Sequence, residues 1–302
     1  MARTTQMLRS LLKRKKFIPM PSAYDPLTSR MIEAAGFDVV YNGGFVTGGA
    51  TCISEPLLTM SDQLRAAGDM ANAVKIPLIM DAGAGWGEPL HTMRTVRETI
   101  RAGVAGIHIE DQLFPKRAHY HTYVAHNIPI AEYRDKIRLA CEQRDAIDKD
   151  FVIIARSDAC RIQGYKEAIK RVNLAARDGA DMSLIFPRND KEAASAPRDS
   201  DLPTVYVISR GNRDGRPIYT YGQLADMGYA GVIDATLSVC VNFHFTKLML
   251  AEVKRTGVYA GMSEQDFVAA RQGVEDMIGL DDYYRIESAT VEKLSRARKG
   301  KY

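Results

Sequence analysis

The hydrophobic and polar positions of this chain repeat one unit: an alanine-rich amphipathic stretch, a glycine, and then a short continuous apolar run. Four copies are plain, around Gly36, Gly103, Gly179 and Gly228. A glycine suits the left-handed residue that ends a helix, and a continuous apolar run is typical of a strand covered on both faces. The pattern therefore predicts helices that alternate with buried parallel strands.

Further apolar runs bring the number of predicted strands to eight. The eight begin or lie near Phe17, Val39, Pro77, Gly106, Phe151, Met182, Thr204 and Gly231. Eight βα units in 302 residues favour a closed (β/α)8 TIM barrel, with an open doubly wound sheet as the alternative. We predict one barrel domain over residues 1–302.

Three helical segments follow the eighth predicted strand, over about residues 239–302. A barrel needs only one helix there. The others are expected to pack on the outside or on another subunit, which predicts an oligomer.

Composition narrows the class of protein. The net charge of +4 comes from 41 basic and 37 acidic residues, and much of the excess lies in "KRKK" near the start and "RARKGK" at the end. Such runs are typical of solvated faces and predict no nucleic-acid partner. The four cysteines are scattered, and no apolar run reaches the ~20 residues of a membrane span. We expect a cytoplasmic protein without a membrane partner.

The polar residues that end the strands are candidates for chemistry, because barrel active sites lie at the C-terminal strand ends. Asp81 and Glu110 each follow an uninterrupted apolar run. A carboxylate in such a place needs a cation or hydrogen-bond donors. A hard ion such as Mg²⁺ fits oxygen ligands, but a structural pair with an arginine fits as well.

Three other features have both a functional and a structural interpretation. The run "NGGFVTGG", from Asn42 to Gly49, suits either an anion held by backbone N–H groups or a flexible turn. Arg156 and Arg188 could each hold a carboxylate through two hydrogen bonds or serve the fold. The segment "FPKRAHYHTY" is either a solvated loop or a loop that closes over substrate and delivers a proton. Zinc is disfavoured there because a third ligand is missing.

The sequence resembles the isocitrate lyase and phosphoenolpyruvate mutase superfamily over roughly residues 17–298. Members include 2-methylisocitrate lyase, 2,3-dimethylmalate lyase, oxaloacetate decarboxylase and phosphonopyruvate hydrolase. The supporting strings are "YDPLTSRMIEAAGFDVVYNGG", "MDAGAGWGEPLHTMRTVRETIRAGVAGIHIEDQ", "PKRAHYH", "ARSDA" and "GADMSLIFP".

The resemblance implies a Mg²⁺ or Mn²⁺ ion that holds an α-oxyacid substrate, and a helix-swapped homotetramer built as a dimer of dimers. It assigns the metal site to Asp81, Glu110 and Glu55. It assigns substrate binding to Asn42, Gly43, Gly44 and Arg156, and we expect Tyr41, Arg117 and Arg188 to bind substrate as well. The expected catalytic residues are Lys116, His119, Tyr120, His121 and Arg156.

Departures from the family pattern bear on the substrate. Gly83 replaces the second aspartate of the family's usual "DAD". Ala118 stands where the lyases carry a cysteine that protonates the departing carbanion. Arg188 replaces a glutamate. We predict a Mg²⁺-dependent carbon–carbon lyase that cleaves a small 2-hydroxy or 2-oxo dicarboxylate through a pyruvate-like enolate. The alternatives are an oxaloacetate decarboxylase, a phosphonopyruvate enzyme and a non-catalytic α-oxyacid-binding barrel.

Overall fold

The computed structural model describes residues 3–14, 17–122 and 124–293. Its strands are β1 Ile18–Pro21, β2 Val40–Asn42, β3 Leu78–Asp81, β4 Gly106–Glu110, β5 Val152–Ser157, β6 Met182–Ile185, β7 Thr204–Ile208 and β8 Gly231–Asp234. Its α-helices are α1 Thr4–Lys13, α2 Pro26–Ala34, α3 Gly44–Thr51, α4 Met60–Ala73, α5 Pro89–Arg101, α6 Ile130–Ile147, α7 Tyr165–Arg177, α8 Asp190–Asp199, α9 Tyr221–Asp226, α10 Leu237–Thr256, α11 Glu264–Ile278 and α12 Leu280–Ala289. Part of "KRKK" and all of "RARKGK" lie outside the described residues.

The eight strands form one parallel sheet in the order β1-β8-β7-β6-β5-β4-β3-β2. The first and last strands of this order also meet, because Ser22 bridges to Tyr41 in parallel and the Ala23 N–H donates to the Tyr41 carbonyl at 2.8 Å. The sheet is thus a nearly closed barrel with helices around it. The predicted (β/α)8 fold is confirmed.

Strand β4 shows how the sequence pattern builds both layers of this fold. Ile107 and Ile109 pack outward in an apolar cluster with Val96 and Ile137 of the surrounding helices. Successive strand residues point to opposite faces, so His108 and Glu110 point into the barrel. All five residues of β4 are buried. A strand that reads as apolar therefore carries two polar groups to the interior.

Helix α1 closes the barrel at the N-terminal ends of the strands. Leu8 is fully buried in the interior cluster with Ile18 and Val152. Arg9 donates to the carbonyls of Asp150 and Phe151 at 3.0 and 2.8 Å. Because this end is filled, the polar groups of the barrel interior face the opposite, C-terminal end.

The chain divides into two compact units, Met1–Val241 and Asn242–Tyr302. In the second unit, helix α11 begins after Ser263, whose hydroxyl accepts the N–H of Asp266 at 3.2 Å. Large apolar side chains of this unit are exposed, among them Phe243, Phe245 and Leu250. Helix exchange between subunits stays a prediction, and the end of the third predicted helix lies outside the described residues. No helix in the described ranges is long and apolar enough to cross a membrane.

Candidate active site

A cavity of about 310 Å³ opens at the C-terminal ends of the strands. Carboxylates line one side of it, namely Glu55 and Asp81. Arginines line the other side, among them Arg161 and Arg216. The position is the one that barrel enzymes use for catalysis. The cavity is therefore electrically polarised, and it is the candidate active site.

Asp81 ends β3 on the acidic side. Its Oδ1 accepts the Gly83 N–H at 2.8 Å, and its Oδ2 accepts the Gly44 N–H at 3.3 Å. Burial disfavours the ionised form, but His108, Arg156 and Lys116 outweigh it and lower the pKa of Asp81 below its usual range. Asp81 is therefore an anionic oxygen donor at neutral pH.

Glu110 ends β4 and is fully buried. Its Oε1 lies 3.2 Å from the Lys116 ammonium, and its Oε2 lies 3.0 Å from Arg156 Nη2. Burial raises the pKa of Glu110 to about 7, although Arg156 and Lys116 oppose the rise. Lys116 also donates to Glu55 Oε1 at 2.5 Å. One ammonium group thus joins the two carboxylates.

The close approach of Glu55 to the start of α3 depends on a glycine. A Cβ atom on Gly44 would lie 2.9 Å from Glu55 Cγ, closer than packed carbon atoms come. Glu55 begins a short 3₁₀ helix, Glu55–Leu57, which follows α3. The absent side chain at residue 44 therefore lets a carboxylate from a separate segment reach Asp81 and Glu110.

His108 and Tyr41 form a buried pair inside the barrel. The Tyr41 hydroxyl lies 2.8 Å from His108 Nε2, and burial raises the pKa of Tyr41 well above its ordinary value. Burial also lowers the pKa of His108 to about 4, so the ring is neutral. A protonated Tyr41 that donates to Nε2 leaves the ring proton on Nδ1, which faces Asp81 Oδ1 at 3.5 Å. His108 was not among the site residues predicted from the sequence.

Arg156 connects the two sides of the cavity. Its guanidinium lies 3.7 Å from Asp81 and 3.2 Å from Asp158, in addition to its contact with Glu110. It also donates to the Tyr120 hydroxyl at 2.6 Å. Burial disfavours its charge, but the carboxylates, Asp158 first, raise the pKa of Arg156 well above its ordinary value. Arg156 is thus a fixed cation in the middle of the site.

The glycine run after β2 is a helix rather than a flexible turn. Helix α3 spans Gly44–Thr51, and left-handed Cys52 ends it. Gly43 and Gly44 line the cavity at the N-terminal end of this helix, where N–H groups lack partners within the helix. The Asn42 side chain points away and joins Gln63 and Thr47 at 2.7 and 3.0 Å. The backbone, not the Asn42 amide, faces the site.

The predicted catalytic loop is partly helical, with a 3₁₀ helix over Ala118–Thr122. Tyr120 and His121 line the cavity, and His121 Nε2 lies 3.8 Å from Glu55 Oε2. His119 and Arg117 are exposed. Because the helical turn sends neighbouring side chains in different directions, the structure brings one histidine of "HYH" to the site and not the other.

The structure places Arg188 away from the cavity. Its backbone N–H donates to Glu192 Oε2 at 2.7 Å beside the start of α8, and it is not among the cavity-lining residues of the described chain. The basic side is formed by Arg161 and Arg216 together with Phe186, three residues that sequence reasoning missed. Each follows a strand within its βα loop, which is the signal that could have found them.

The acidic side fits a divalent cation. Asp81 and Glu55 offer oxygen atoms to the cavity, and the buried Glu110 carboxylate shares the Lys116 ammonium with Glu55. Among the described residues, no three side chains of His, Cys, Asp or Glu are close enough to enclose a metal. Mg²⁺ needs no such cage, since it keeps several waters and takes one or two carboxylates.

Comparison with known proteins decides the family. A family model described as phosphoenolpyruvate phosphomutase matches residues 8–254. The chain belongs to the phosphoenolpyruvate phosphomutase family. The resemblance found in the sequence is thereby confirmed, and membership of this family explains why the polar residues gather at the C-terminal strand ends.

Relatives in this family are similar along almost the whole chain. The 2,3-dimethylmalate lyase of Eubacterium barkeri is 31% identical over 288 residues, which cover 94% of this chain and 97% of the relative. The 2-methylisocitrate lyase of Aeropyrum pernix is 28% identical over 291 residues, covering 95% of this chain and 91% of the relative. Both are enzymes named as lyases, which supports a carbon–carbon lyase.

Solved structures agree with this family assignment. A crystal structure of 2,3-dimethylmalate lyase has a TM-score of 0.86 at 26% identity and covers 96% of each chain. Oxaloacetate acetylhydrolase in complex with 3,3-difluorooxalacetate has a TM-score of 0.86 at 28% identity, with 95% of this chain and 96% of that chain covered. Phosphonopyruvate hydrolase in complex with oxalate and Mg²⁺ has a TM-score of 0.82 at 25% identity, with 96% of this chain and 100% of that chain covered.

Proposed function

We propose that this protein is a Mg²⁺- or Mn²⁺-dependent carbon–carbon lyase that cleaves a small 2-hydroxy or 2-oxo dicarboxylate through a pyruvate-like enolate. The observation that carries the proposal is the cavity itself. Carboxylate oxygens of Glu55 and Asp81 line one part of it, Arg161 and Arg216 line another, and buried Arg156 lies close to Asp81. Family relatives named as lyases of malate-like and isocitrate-like acids support the same class of reaction.

The residues of the site would hold an α-oxyacid in one orientation. The N–H groups at the start of α3, next to Gly43 and Gly44, are placed to donate hydrogen bonds to a substrate carboxylate. Arg156 would stabilise the negative charge that develops on the reacting acid, because its buried guanidinium is already fixed by Asp158 and Glu110. The neutral His108 ring, directed by Tyr41, would keep Asp81 oriented.

A divalent cation held by Asp81, with Glu55 and Glu110 as the further carboxylates of the acidic side, would supply Lewis-acid chemistry, drawing electron density from the breaking bond. When a 2-hydroxy acid is cleaved, the hydroxyl proton passes to a carboxylate of the acidic side, the hydroxyl becomes a carbonyl as the C2–C3 bond breaks, and the departing C3 carbanion takes a proton. Tyr120 is the best donor for that proton. Because its oxygen accepts the Arg156 N–H at 2.6 Å, its own hydrogen is left for another acceptor in the cavity.

Oxaloacetate decarboxylation is a second candidate. Ala118 is exposed in the loop, so that position offers no thiol to protonate a leaving carbanion. Loss of CO₂ from a 2-oxo acid leaves an enolate that solvent can protonate after release. The same cavity therefore suits both reactions, and the substrate separates them.

The experiment is a substrate panel with purified full-length protein. The protein is incubated with Mg²⁺ and with 2,3-dimethylmalate, 2-methylisocitrate, oxaloacetate or phosphonopyruvate, and 2-oxoacid formation or consumption is followed. Metal-dependent turnover of a dicarboxylate is the expected result, and chelation by EDTA should abolish it. Absence of turnover on every acid, with no Mg²⁺-dependent ligand binding, would falsify the proposal.

We also propose that the protein is cytoplasmic and assembles into a homotetramer through its C-terminal unit. Exposed Phe243, Phe245 and Leu250 support an apolar contact surface there. Light scattering on the purified protein tests the assembly. A double change of Phe243 and Phe245 to Ser should reduce the measured mass, and an unchanged monomer mass in both proteins contradicts the proposal.

A further inference from the structure

Three guanidinium groups surround one phenylalanine ring on the basic side of the cavity. The Cζ atoms of Arg156, Arg161 and Arg216 lie 4.9, 5.0 and 4.9 Å from the Phe186 ring centroid. Arg156 lies on β5 and Arg161 in the loop after it. Phe186 directly follows β6, and Arg216 lies in the loop after β7. Side chains from the ends of adjacent strands thus meet around one aromatic ring.

This arrangement is built into the fold. Phe186 is 4% exposed and Arg216 is 6% exposed. Asp214 holds Arg216 by a contact of 2.8 Å to Nε, and the Arg161 guanidinium also lies 4.6 Å from the Tyr120 ring centroid. Ring contacts help to fix the orientation of a guanidinium group. The basic side is therefore preorganised.

The charged side chains on this side all have the same sign. From β5 onward, every cavity-lining residue with a formal charge is an arginine. Their carboxylate partners Asp158, Asp214 and Asp234 are outside the set that lines the cavity. A molecule in the cavity thus meets carboxylates at one end and guanidinium groups at the other. Such a field favours an anionic group on the basic side.

We propose that Arg161, Arg216 and Phe186 form a subsite for a second, distal oxyanion of the substrate, which selects dianionic α-oxyacids over acids with an uncharged tail. The inference rests on the proposed function, because it takes the α-oxyacid end to lie at Asp81. The distal oxyanion is a carboxylate or a phosphonate, since forked guanidinium groups bind both. Leu184 and Val207 line the same cavity and suit an alkyl group between the two ends.

Binding measurements with matched acids test the subsite. Malate and 2-hydroxybutyrate share the 2-hydroxy acid and differ in the distal carboxylate, which is a methyl group in the second. Phosphonopyruvate and 2-oxobutyrate make the same comparison for a phosphonate. Dissociation constants are measured with Mg²⁺ by calorimetry for the wild type, Arg161→Gln, Arg161→Lys and Arg216→Gln. Arg177→Gln, which removes an exposed charge on α7, is the matched control.

Wild type should bind at least one dianion about 10- to 100-fold more tightly than its uncharged partner, as expected for charge-assisted hydrogen bonds. Arg161→Gln and Arg216→Gln should each remove about tenfold of that preference and leave the uncharged acids within about twofold. Arg161→Lys should keep part of the preference, and the control should keep all of it. The acid pair that shows the loss identifies the distal oxyanion.

Equal losses for the charged and uncharged acids would overturn the subsite, as would variants that keep the full preference. Wild type that binds neither dianion more tightly than its partner also overturns it. Thermal unfolding of each variant separates a folding defect from a binding defect, and Arg161→Lys carries the test if Arg161→Gln is unstable. Discrimination among these acids by a protein that turns over no acid of the substrate panel would sustain the subsite and favour a non-catalytic α-oxyacid-binding barrel over the lyase. Turnover without discrimination would do the reverse.

Discussion

The two sides of the cavity are built in opposite ways. On the acidic side, Asp81 and Glu55 face the cavity, and cations such as Lys116 compensate them. On the basic side, Arg161 and Arg216 face the cavity, and a carboxylate such as Asp214 lies behind. The difference shows how one barrel mouth can orient a small acid: each side presents one sign of charge to the cavity and is compensated by opposite charges of its own.

Asp81→Asn should have the largest effect on the acidic side, with loss of both turnover and Mg²⁺ binding. The amide keeps the shape and can still accept the Gly83 N–H, but it loses the charge that a cation needs. We expect kcat/KM to fall by about a thousandfold or more, since metal chemistry supplies several kcal/mol. Mg²⁺ binding, followed by fluorescence of Trp86, the only tryptophan, should disappear. Trp86 lines a small pocket with Asp81, Glu55 and Lys116.

The control for this change is Asp69→Asn, an exposed carboxylate on α4. It removes the same charge and should leave Mg²⁺ binding and turnover intact. Turnover by the Asp81→Asn protein at the wild-type rate would show that the acidic side is a structural ion-pair network.

Arg156→Lys tests the junction between the two sides. Lysine keeps the positive charge but cannot reach Glu110, Asp158 and the Tyr120 hydroxyl with one rigid group. We expect kcat/KM to fall by about 100-fold. The free energy of unfolding should fall by about 1–3 kcal/mol, because buried carboxylates lose part of their compensation. Steady-state kinetics and urea unfolding measure the two effects, and a stable, fully active variant would contradict this role.

Tyr120→Phe asks whether the proton comes from the loop over the basic side. Removal of the hydroxyl should lower kcat by about 10- to 100-fold with a smaller change in KM, as for loss of a general acid. His119→Asn should have a much smaller effect, since His119 is exposed. A larger loss in the His119 variant than in the Tyr120 variant would move the proton donor to the other side chain.

The smallest effect is expected at Gly83, where a substitution should strengthen metal binding on the acidic side instead of abolishing it. Its φ of 50° is tolerated by aspartate better than by most residues, and an added Cβ would have no heavy atom within 4 Å. Gly83→Asp should tighten Mg²⁺ binding by up to about tenfold, because it adds a carboxylate beside Asp81. Gly83→Ala adds the Cβ alone and should not. Equal Mg²⁺ affinities in the two variants would exclude a role for this position in metal binding.

Much of the fold and half of the site were predictable from local patterns. Four copies of the helix, glycine and apolar-run unit and four further apolar runs predict eight strands, and polar residues at strand ends identify Asp81 and Glu110. Both follow from rules that operate within about ten residues of chain, where hydrophobic periodicity is informative. His108 was within reach of the same rule, because it stands two residues before Glu110 on β4 and shares its face.

The glycine run and the histidines show where local patterns fail. The glycines of α3 were open to a turn, but the segment folds as a helix with buried Val46 and Thr47. "HYH" gave His119 and His121 equal weight, and only His121 lines the cavity of the described chain. Packing against the rest of the barrel decides such cases, since propensity differences of less than 1 kcal/mol per residue are easily overridden.

The sequence by itself determined the barrel, the family and the acidic end of the site, because hydrophobic period, strand-end carboxylates and quoted motifs are local properties of the chain. The tertiary structure alone decided the basic end. Arg161, Phe186 and Arg216 are separated by 25 and 30 positions, and no spacing rule relates them. They meet because parallel strands bring their C-terminal ends to one rim. Arg188, which was prominent in the sequence, is not among the cavity-lining residues of the described chain.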